Sequence, residues 1–292
     1  MLNSSLLKAL CQMSAIVYKP QTFFTENYKK ISLEKGCECL NHIQTEPKLL
    51  ESDKDCQCYV SKFNKNSILV AFRGSQEMRD WLTDANIIRV NMDLHNVPDN
   101  ERPKVHWGIL RQFRSVEDKI TQFIDETLTN DKLCQIENIV YTGHSLGGGL
   151  ASIALMNYFY KYPELKHMCV TFGAPRVGNK QFRQKFEYNC AFSKRYVNYY
   201  DPVPSLPFSL RYSHACPSDH INVNIIDHIE TPISRFFWVM FYKFAHLFGS
   251  AYNPVNDHSI DNYYSSLCNL LPDDELNVID ANDITMVEEK TE

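Results

Sequence analysis

Hydrophobic and polar positions along the chain change between a strand-like and a helix-like pattern. Two β-rich runs flank Asn64-Lys65-Asn66 and predict a hairpin with 68–72 as its second strand. Apolar positions from 110 to 128 follow a 3.6-residue period and predict a long amphipathic helix. The further predicted elements are strand 136–141, helix 147–161, strand 168–172, helix 179–187 and strand 195–200. This alternation indicates an α/β fold with a mostly parallel central sheet flanked by helices, and ligands at the carboxyl ends of its strands.

The two ends of the chain differ from its middle. Leu6, Leu10, Met13 and Val17 recur at helical spacing without a basic segment before them, which predicts a packed helix rather than a signal peptide. Residues 271–292 hold eight acids and one lysine, which is typical of a solvated, disordered tail. We therefore expect a single α/β domain over 1–270, followed by an acidic tail over 271–292.

Composition excludes several classes of protein. The 292 residues are 44% hydrophobic and 22% charged, as in ordinary soluble globular proteins. The net charge is −5, and without the acidic tail it is 29 − 27 = +2. Because no basic block is present, nucleic acid is not expected as a partner. The ten cysteines, in a chain without an export signal, favour reduced thiols and an intracellular, cytoplasmic protein.

The sequence IVYTGHSLGGGLASIAL contains the strongest chemical signal in the chain. Its segment 143–147 fits the pattern G-x-S-x-G between a predicted strand and a predicted helix. A serine on such a tight turn is exposed above the sheet, and the start of the following helix favours negative charge. Ser145 is therefore the candidate nucleophile.

A serine nucleophile needs a histidine base and a carboxylate that orients the histidine. In this motif class the acid and then the base follow the serine along the chain, and Asp201 comes directly after a β-rich run. His258, in a polar loop that opens a C-terminal helix, is the favoured base. His246 and His214 remain alternatives.

Six segments, in order, resemble the class 3 lipase family of secreted fungal triacylglycerol lipases and their intracellular relatives. They are VAFRGSQEMRDW, VHWGI, VYTGHSLGGGLA, TFGAPRVGN, DPVPSLP and DHSIDNY. The resemblance implies an α/β-hydrolase fold with Ser145 as nucleophile, Asp201 as acid and His258 as base. It also implies an oxyanion hole: Leu146 donates its backbone N–H, as in the motif class, and Ser75 supplies the second donor.

The resemblance implies a lid over the active site at 76–85. Met78, Trp81, Leu82 and Ala85 lie on one face of this predicted helix. Trp81 and Leu82 are the candidate lid and substrate contacts, and a helix packed on the core is the alternative. The segment is short and charged, which argues against strong interfacial activation.

Two further features have competing interpretations. Cys37, Cys39, Cys56 and Cys58 could converge on zinc or form disulfides if their strands pair, but buried inert thiols are favoured. The apolar run 233–249 is too short to span a bilayer and is predicted to be a helix buried against the sheet, with an acyl-chain wall or a membrane-docking surface as the alternatives.

These observations predict a serine ester hydrolase that cleaves acyl esters of glycerolipids through an acyl-enzyme. No cofactor or metal is expected. The expected partners are the lipid ester and, transiently, a membrane or lipid-droplet surface; the oligomeric state is not predicted. A phospholipase or a small-ester esterase with the same triad is one alternative, and a catalytically silent lipid-binding scaffold is another.

Overall fold

A computed structural model describes nine stretches of the chain. They are residues 4–18, 48–51, 56–63, 66–74, 88–131, 135–198, 201–207, 211–221 and 257–270. The strands are β1 (Lys48–Glu51), β2 (Gln57–Phe63), β3 (Ser67–Phe72), β4 (Arg89–Asn91), β5 (Lys104–His106), β6 (Asn138–His144), β7 (Lys166–Phe172), β8 (Phe192–Asn198) and β9 (Ser218–Ile221). The helices are α1 (Ser4–Ile16), α2 (Trp107–Asn130), α3 (Leu146–Lys161), α4 (Lys180–Asn189) and α5 (Ile260–Leu270).

Seven of these strands form one sheet in the order β1-β2-β3-β6-β7-β8-β9. The first three pair antiparallel, and β2 and β3 form the predicted hairpin with Val60 opposite Val70. From β3 to β9 every pairing is parallel. The prediction of a mostly parallel central sheet is therefore confirmed, and β4 and β5 form a separate antiparallel pair.

The sheet has a packed layer on each face, because successive side chains of a strand point to opposite sides. In β6, Ile139 and Tyr141 join the core cluster that includes residues of α2, α3 and α4. Val140, between them, joins the cluster formed with α1 and α5. Burial of each such side chain contributes about 1.5–3 kcal/mol to the free energy of folding. Because successive side chains of one strand enter opposite clusters, a single strand helps to hold the helices on both faces of the sheet.

The predicted strand at 136–141 is displaced by two to three residues. In the structure β6 begins at Asn138 and continues to His144, because Gly143 and His144 stay paired with Thr171 and Phe172 of β7. The strand thus extends into the G-x-S-x-G motif and ends directly before Ser145. The prediction stopped early because Thr, Gly and His carry no apolar signal.

Several predicted features lie outside the described residues, including the acidic tail and the apolar run 233–249. The single domain over 1–270 and the mobile tail therefore stay predictions. Among the described helices, none is both long enough and apolar enough to cross a membrane.

The start of α2 is capped by a histidine that must stay neutral. Nδ1 of His106 accepts hydrogen bonds from the backbone N–H groups of Gly108 (3.1 Å) and Ile109 (3.4 Å). Burial lowers the pKa of His106 from its usual 6.5 to about 4. Between these two values the unfolded chain binds a proton that the folded chain does not, so stability falls as pH decreases.

Replacing this cap with asparagine should make the protein less sensitive to acid. Lowering the pH from 6 to 5 is expected to reduce the free energy of unfolding of the wild type by about 1 kcal/mol through His106. Asparagine is a good N-cap and does not titrate, so His106→Asn should lose less free energy of unfolding by that amount. Denaturant titrations at both pH values measure the difference, and equal losses in the two proteins would contradict the assignment.

Candidate active site

Ser145 lies on the sharp turn between the end of β6 and the start of α3. Its backbone has φ 57° and ψ −129°, a positive φ that costs a residue with a Cβ of order 1–3 kcal/mol. The turn is held by hydrogen bonds from Ser145 N–H to the carbonyl of Phe172 (2.9 Å) and from Gly148 N–H to the carbonyl of Ser145 (3.0 Å). The structure therefore has the strained strand-to-helix geometry expected of a nucleophile elbow.

The glycines on both sides of the turn are required by close backbone contacts. A Cβ on Gly143 would lie 2.4 Å from the carbonyl of Gly147, and one on Gly147 would lie 2.3 Å from the carbonyl of Phe72. Neither backbone can move without disturbing the sheet. The spacing of the motif thus follows from how closely α3 approaches β3 and β6.

Asp201 and His258 form a buried pair at the same edge of the sheet. Nδ1 of His258 lies 2.7 Å from Oδ2 of Asp201, and the two side chains are 3% and 0% exposed. The same carboxylate accepts hydrogen bonds from the hydroxyl of Tyr263 (2.6 Å) and the backbone N–H of Val203 (2.8 Å). Each hydrogen bond from a described residue to this carboxylate comes from a donor, which is the environment of an ionised carboxylate.

The carboxylate fixes which nitrogen of His258 carries the proton. With Nδ1–H directed at Asp201, Nε2 is left as an acceptor. Nε2 is buried and has no hydrogen-bond partner among the described residues. The described contacts therefore orient the imidazole, but Nε2 makes no hydrogen bond to Oγ of Ser145 in this structure.

His144 connects this pair to the elbow. Its Nε2–H donates to the carbonyl of His258 (2.6 Å), and its ring centroid lies 4.5 Å from that of His258. The hydroxyl of Tyr18 donates to Nδ1 of His144 (3.0 Å). Burial, and then the neighbouring His258, lower the pKa of His144 well below 6.5, so the ring stays neutral and can accept from Tyr18. His258 is thereby anchored to the residue before Ser145.

Gly173, directly after β7, makes room for the side chains of Asp201 and His258. Its φ is +59°, and a Cβ there would lie 2.8 Å from Oδ2 of Asp201 and 3.1 Å from Cε1 of His258. Gly173→Ala should therefore displace the pair, and a misplacement of about 1 Å can lower the rate about 10²-fold. Initial rates on a soluble ester measure this loss.

Gly149→Ala is the matched control for that substitution. The added Cβ would lie 3.2 Å from the flexible end of Ile109 and 3.6 Å, an ordinary contact distance, from Cγ2 of Ile109 and Cγ of Pro175. Alanine also favours the helix. Near wild-type rates are expected for this variant. If both alanine variants lose activity equally, Gly173 has no special relation to the pair.

The other predicted site residues are only partly described. Leu146 is the first residue of α3 and is buried, and the first N–H groups of a helix lack partners within it, so its donor role stays a prediction. Ser75, Trp81, Leu82 and the alternative base His246 lie outside the described residues. His214 is described, but the histidine bonded to Asp201 is His258.

The cysteine group is also described only in part. Cys56 and Cys58 are 1% and 0% exposed and belong to the core cluster beside α2 and α3. Burial raises the pKa of Cys56 to about 12 and that of Cys58 well above its usual 9. These two thiols are thus packed and unreactive, whereas Cys37 and Cys39 lie outside the described residues.

Sequence reasoning gave no role to Tyr263, Tyr18 or Gly173. Tyr263 lies inside the quoted segment DHSIDNY, but a tyrosine five residues after a histidine predicts nothing without the path of α5. Tyr18 and His144 are 126 positions apart. Only the packing of α1 against the sheet brings them together.

Comparison with known proteins shows which proteins the chain is similar to. The sequence model of the family described as lipase (class 3) matches residues 69–210, which include the elbow and Asp201. Over these residues the chain is similar to the class 3 lipase family. The secreted mono- and diacylglycerol lipase A of Penicillium cyclopium is 30% identical over 166 residues, which are 56% of this chain and 51% of that protein. A lipase of Rhizopus niveus is 31% identical over 157 residues, 52% of this chain and 38% of that protein.

A solved structure supports the fold of this chain. The mono- and diacylglycerol lipase of Aspergillus oryzae has a TM-score of 0.61 at 24% identity, over 80% of this chain and 85% of that one. This likeness confirms the α/β-hydrolase fold. In sequence, the chain spans about half the length, or less, of the two curated relatives named above.

The prediction of an intracellular, cytoplasmic protein is wrong. It is contradicted by relatives that are named secreted lipases, from Penicillium cyclopium and Fusarium solani. The prediction relied partly on reduced cysteines. The seven described cysteines form no disulfide with one another, five of them are buried, and a buried thiol of raised pKa resists oxidation in any compartment. The presence of thiols therefore does not indicate where the protein is located.

Proposed function

We propose that this protein is a serine ester hydrolase that cleaves acyl esters of glycerolipids outside the cell. The observation that carries the proposal is the hydrogen-bonded pair of Asp201 and His258 (2.7 Å), buried beside the strained turn that holds Ser145. The substrate class is supported by relatives named mono- and diacylglycerol lipases.

The first half of the proposed reaction forms an acyl-enzyme. Oγ of Ser145 attacks the ester carbonyl carbon while Nε2 of His258 takes the hydroxyl proton, and Asp201 stabilises the resulting imidazolium. The carbonyl oxygen becomes an oxyanion that accepts hydrogen bonds from the backbone N–H of Leu146 and from Ser75. Collapse of this intermediate breaks the ester C–O bond, and His258 gives its proton to the leaving alcohol.

The second half of the reaction releases the fatty acid. A water molecule gives its proton to His258 and attacks the acyl carbon, and the second tetrahedral intermediate returns the proton to Oγ of Ser145. The chain's own residues supply every proton transfer in this scheme, so the proposal includes no metal or cofactor. The lipid itself is expected at a membrane or droplet surface, to which the protein binds transiently.

A hydrolysis panel tests the proposal. Mono-, di- and triacylglycerols, phospholipids and nitrophenyl esters are assayed with the wild type and with Ser145→Ala. Turnover of acylglycerols by the wild type alone is the expected result. Preference for phospholipids, or for short soluble esters only, would replace the substrate class while keeping the triad. Failure of a fluorophosphonate probe to label Ser145 would indicate a silent lipid-binding protein.

A further inference from the structure

Two large apolar side chains are exposed next to each other where α2 begins. Trp107, the first residue of α2, is 41% exposed, and Ile88 is 53% exposed. The backbone N–H of Trp107 donates to the carbonyl of Ile88 (2.9 Å), so the two residues are held side by side. Contiguous apolar side chains on a surface mark sites of interaction.

This pair lies at the edge of the sheet that holds Ser145. Ile109, two residues after Trp107, lies against the first turn of α3, where a Cβ on Gly149 would be 3.2 Å from it. The backbone N–H of His106 also donates to the carbonyl of Val177 (2.9 Å), in the segment that follows the carboxyl end of β7. The start of α2 therefore forms part of the rim around the candidate active site.

Arg111 adds an available positive charge to this rim. Its guanidinium carbon lies 5.1 Å from the centroid of the Trp107 ring, and Arg111 forms no ion pair with any residue that the structure describes. Arg114, one turn later, is instead committed to Glu117, the side chain of Asn157 and the carbonyl of Asp93. Both arginines line a shallow groove of about 490 Å³. Of the two, Arg114 is already paired with a carboxylate, whereas Arg111 has no carboxylate partner among the described residues and can bind an external anion.

We propose that Ile88, Trp107 and Arg111, here called the rim patch, dock the protein onto lipid surfaces that carry anionic head groups. The proposal deepens the proposed function and rests on it for the lipid substrate. Tryptophan favours the boundary between head groups and acyl chains. Arginine extends its charge to the head groups while its stem covers apolar surface. Docking through this patch would present the carboxyl edge of the sheet, and thus Ser145, to the lipid.

Vesicle binding by two variants tests the two chemistries separately. Adsorption of the full chain is measured by co-sedimentation with vesicles of phosphatidylcholine alone, and with vesicles that contain about 30% phosphatidylserine. Arg111→Gln should weaken adsorption about fivefold on the anionic vesicles, and high salt should abolish this difference. The same variant should bind neutral vesicles as the wild type does. Trp107→Ala should weaken adsorption to both kinds of vesicle.

The chain offers matched controls at the opposite edge of the sheet. Lys161, the last residue of α3, lies 5.7 Å from the ring of Tyr162, and Tyr188 near the end of α4 is 90% exposed. Lys161→Gln removes one charge and Tyr188→Ala removes one exposed aromatic ring. Neither control should change adsorption if the rim patch carries it.

The outcomes separate this inference from the proposed function. Hydrolysis of a soluble nitrophenyl ester should be unchanged in both rim variants, because the triad is untouched. If the wild type hydrolyses no ester, the proposed function fails whatever the vesicles show. Unchanged adsorption of both variants, or equal effects of the controls, would overturn the rim patch. A Trp107-dependent dimer in sedimentation velocity, with unchanged adsorption, would also overturn it and assign the patch to a second copy of the chain.

Discussion

Replacing Ser145 with alanine should reduce ester hydrolysis about 10⁴-fold or more, while the protein remains folded. The substitution removes only Oγ. Alanine can keep the turn because the close backbone contacts there depend on the neighbouring glycines and not on the serine hydroxyl. Donors to the oxyanion would remain and leave a small residual rate. Initial rates on a nitrophenyl ester measure the loss, and a thermal melt shows whether the fold is kept.

Ser152→Ala is the matched control for this experiment. Its hydroxyl lies on α3, the helix that follows Ser145, and donates to the carbonyl of Gly148 (3.0 Å). Removing this hydroxyl affects stability rather than the reaction, so turnover should stay within about twofold of wild type. Adding His258→Ala to Ser145→Ala should lower the rate little further, because the triad acts as a unit. More than a few per cent of residual activity in Ser145→Ala would remove it as nucleophile.

Local patterns were enough to predict the elements around the elbow. The periodicity of α2 and the motif before α3 depend on residues that are near each other in the chain, so each could be recognised without the fold. Asp201 was also placed correctly relative to the sheet, since a residue that follows a parallel strand lies at its carboxyl end. The carboxyl ends of β6, β7 and β8 bring Ser145, Gly173 and Asp201 to one edge.

Features that depend on packing between distant segments could not be predicted. β9 has the sequence SDHI and pairs only at the edge of the sheet, so its exposed positions carry no apolar alternation. The bonds from Tyr263 to Asp201 and from Tyr18 to His144 connect residues 62 and 126 positions apart. Such contacts are set by how α5 and α1 pack on the sheet, which periodicity alone does not specify.

Those packing contacts explain why Asp201→Asn should lower the rate of hydrolysis nearly as much as Ser145→Ala. Both carboxylate oxygens accept: Oδ1 from Val203 N–H, and Oδ2 from His258 and from Tyr263. Asparagine has a single acceptor oxygen, so its NH₂ group must face either the backbone N–H of Val203 or the donors His258 and Tyr263. With the amide nitrogen toward His258, the imidazole proton moves to Nε2, where it blocks the base.

The expected loss for Asp201→Asn is about 10⁴-fold in kcat, as for other histidines held in the wrong tautomer. Tyr263→Phe is the matched comparison, because it removes one donor to the same oxygen (2.6 Å) and keeps the carboxylate charge. Its loss should be smaller, since His258 keeps the acceptor for Nδ1–H. Rates measured across pH distinguish the roles of the two residues. If Asp201→Asn holds His258 in the wrong tautomer, the maximal rate in its pH–rate profile should be lowered. If Asp201→Asn kept the wild-type plateau, the acid that orients His258 would lie elsewhere.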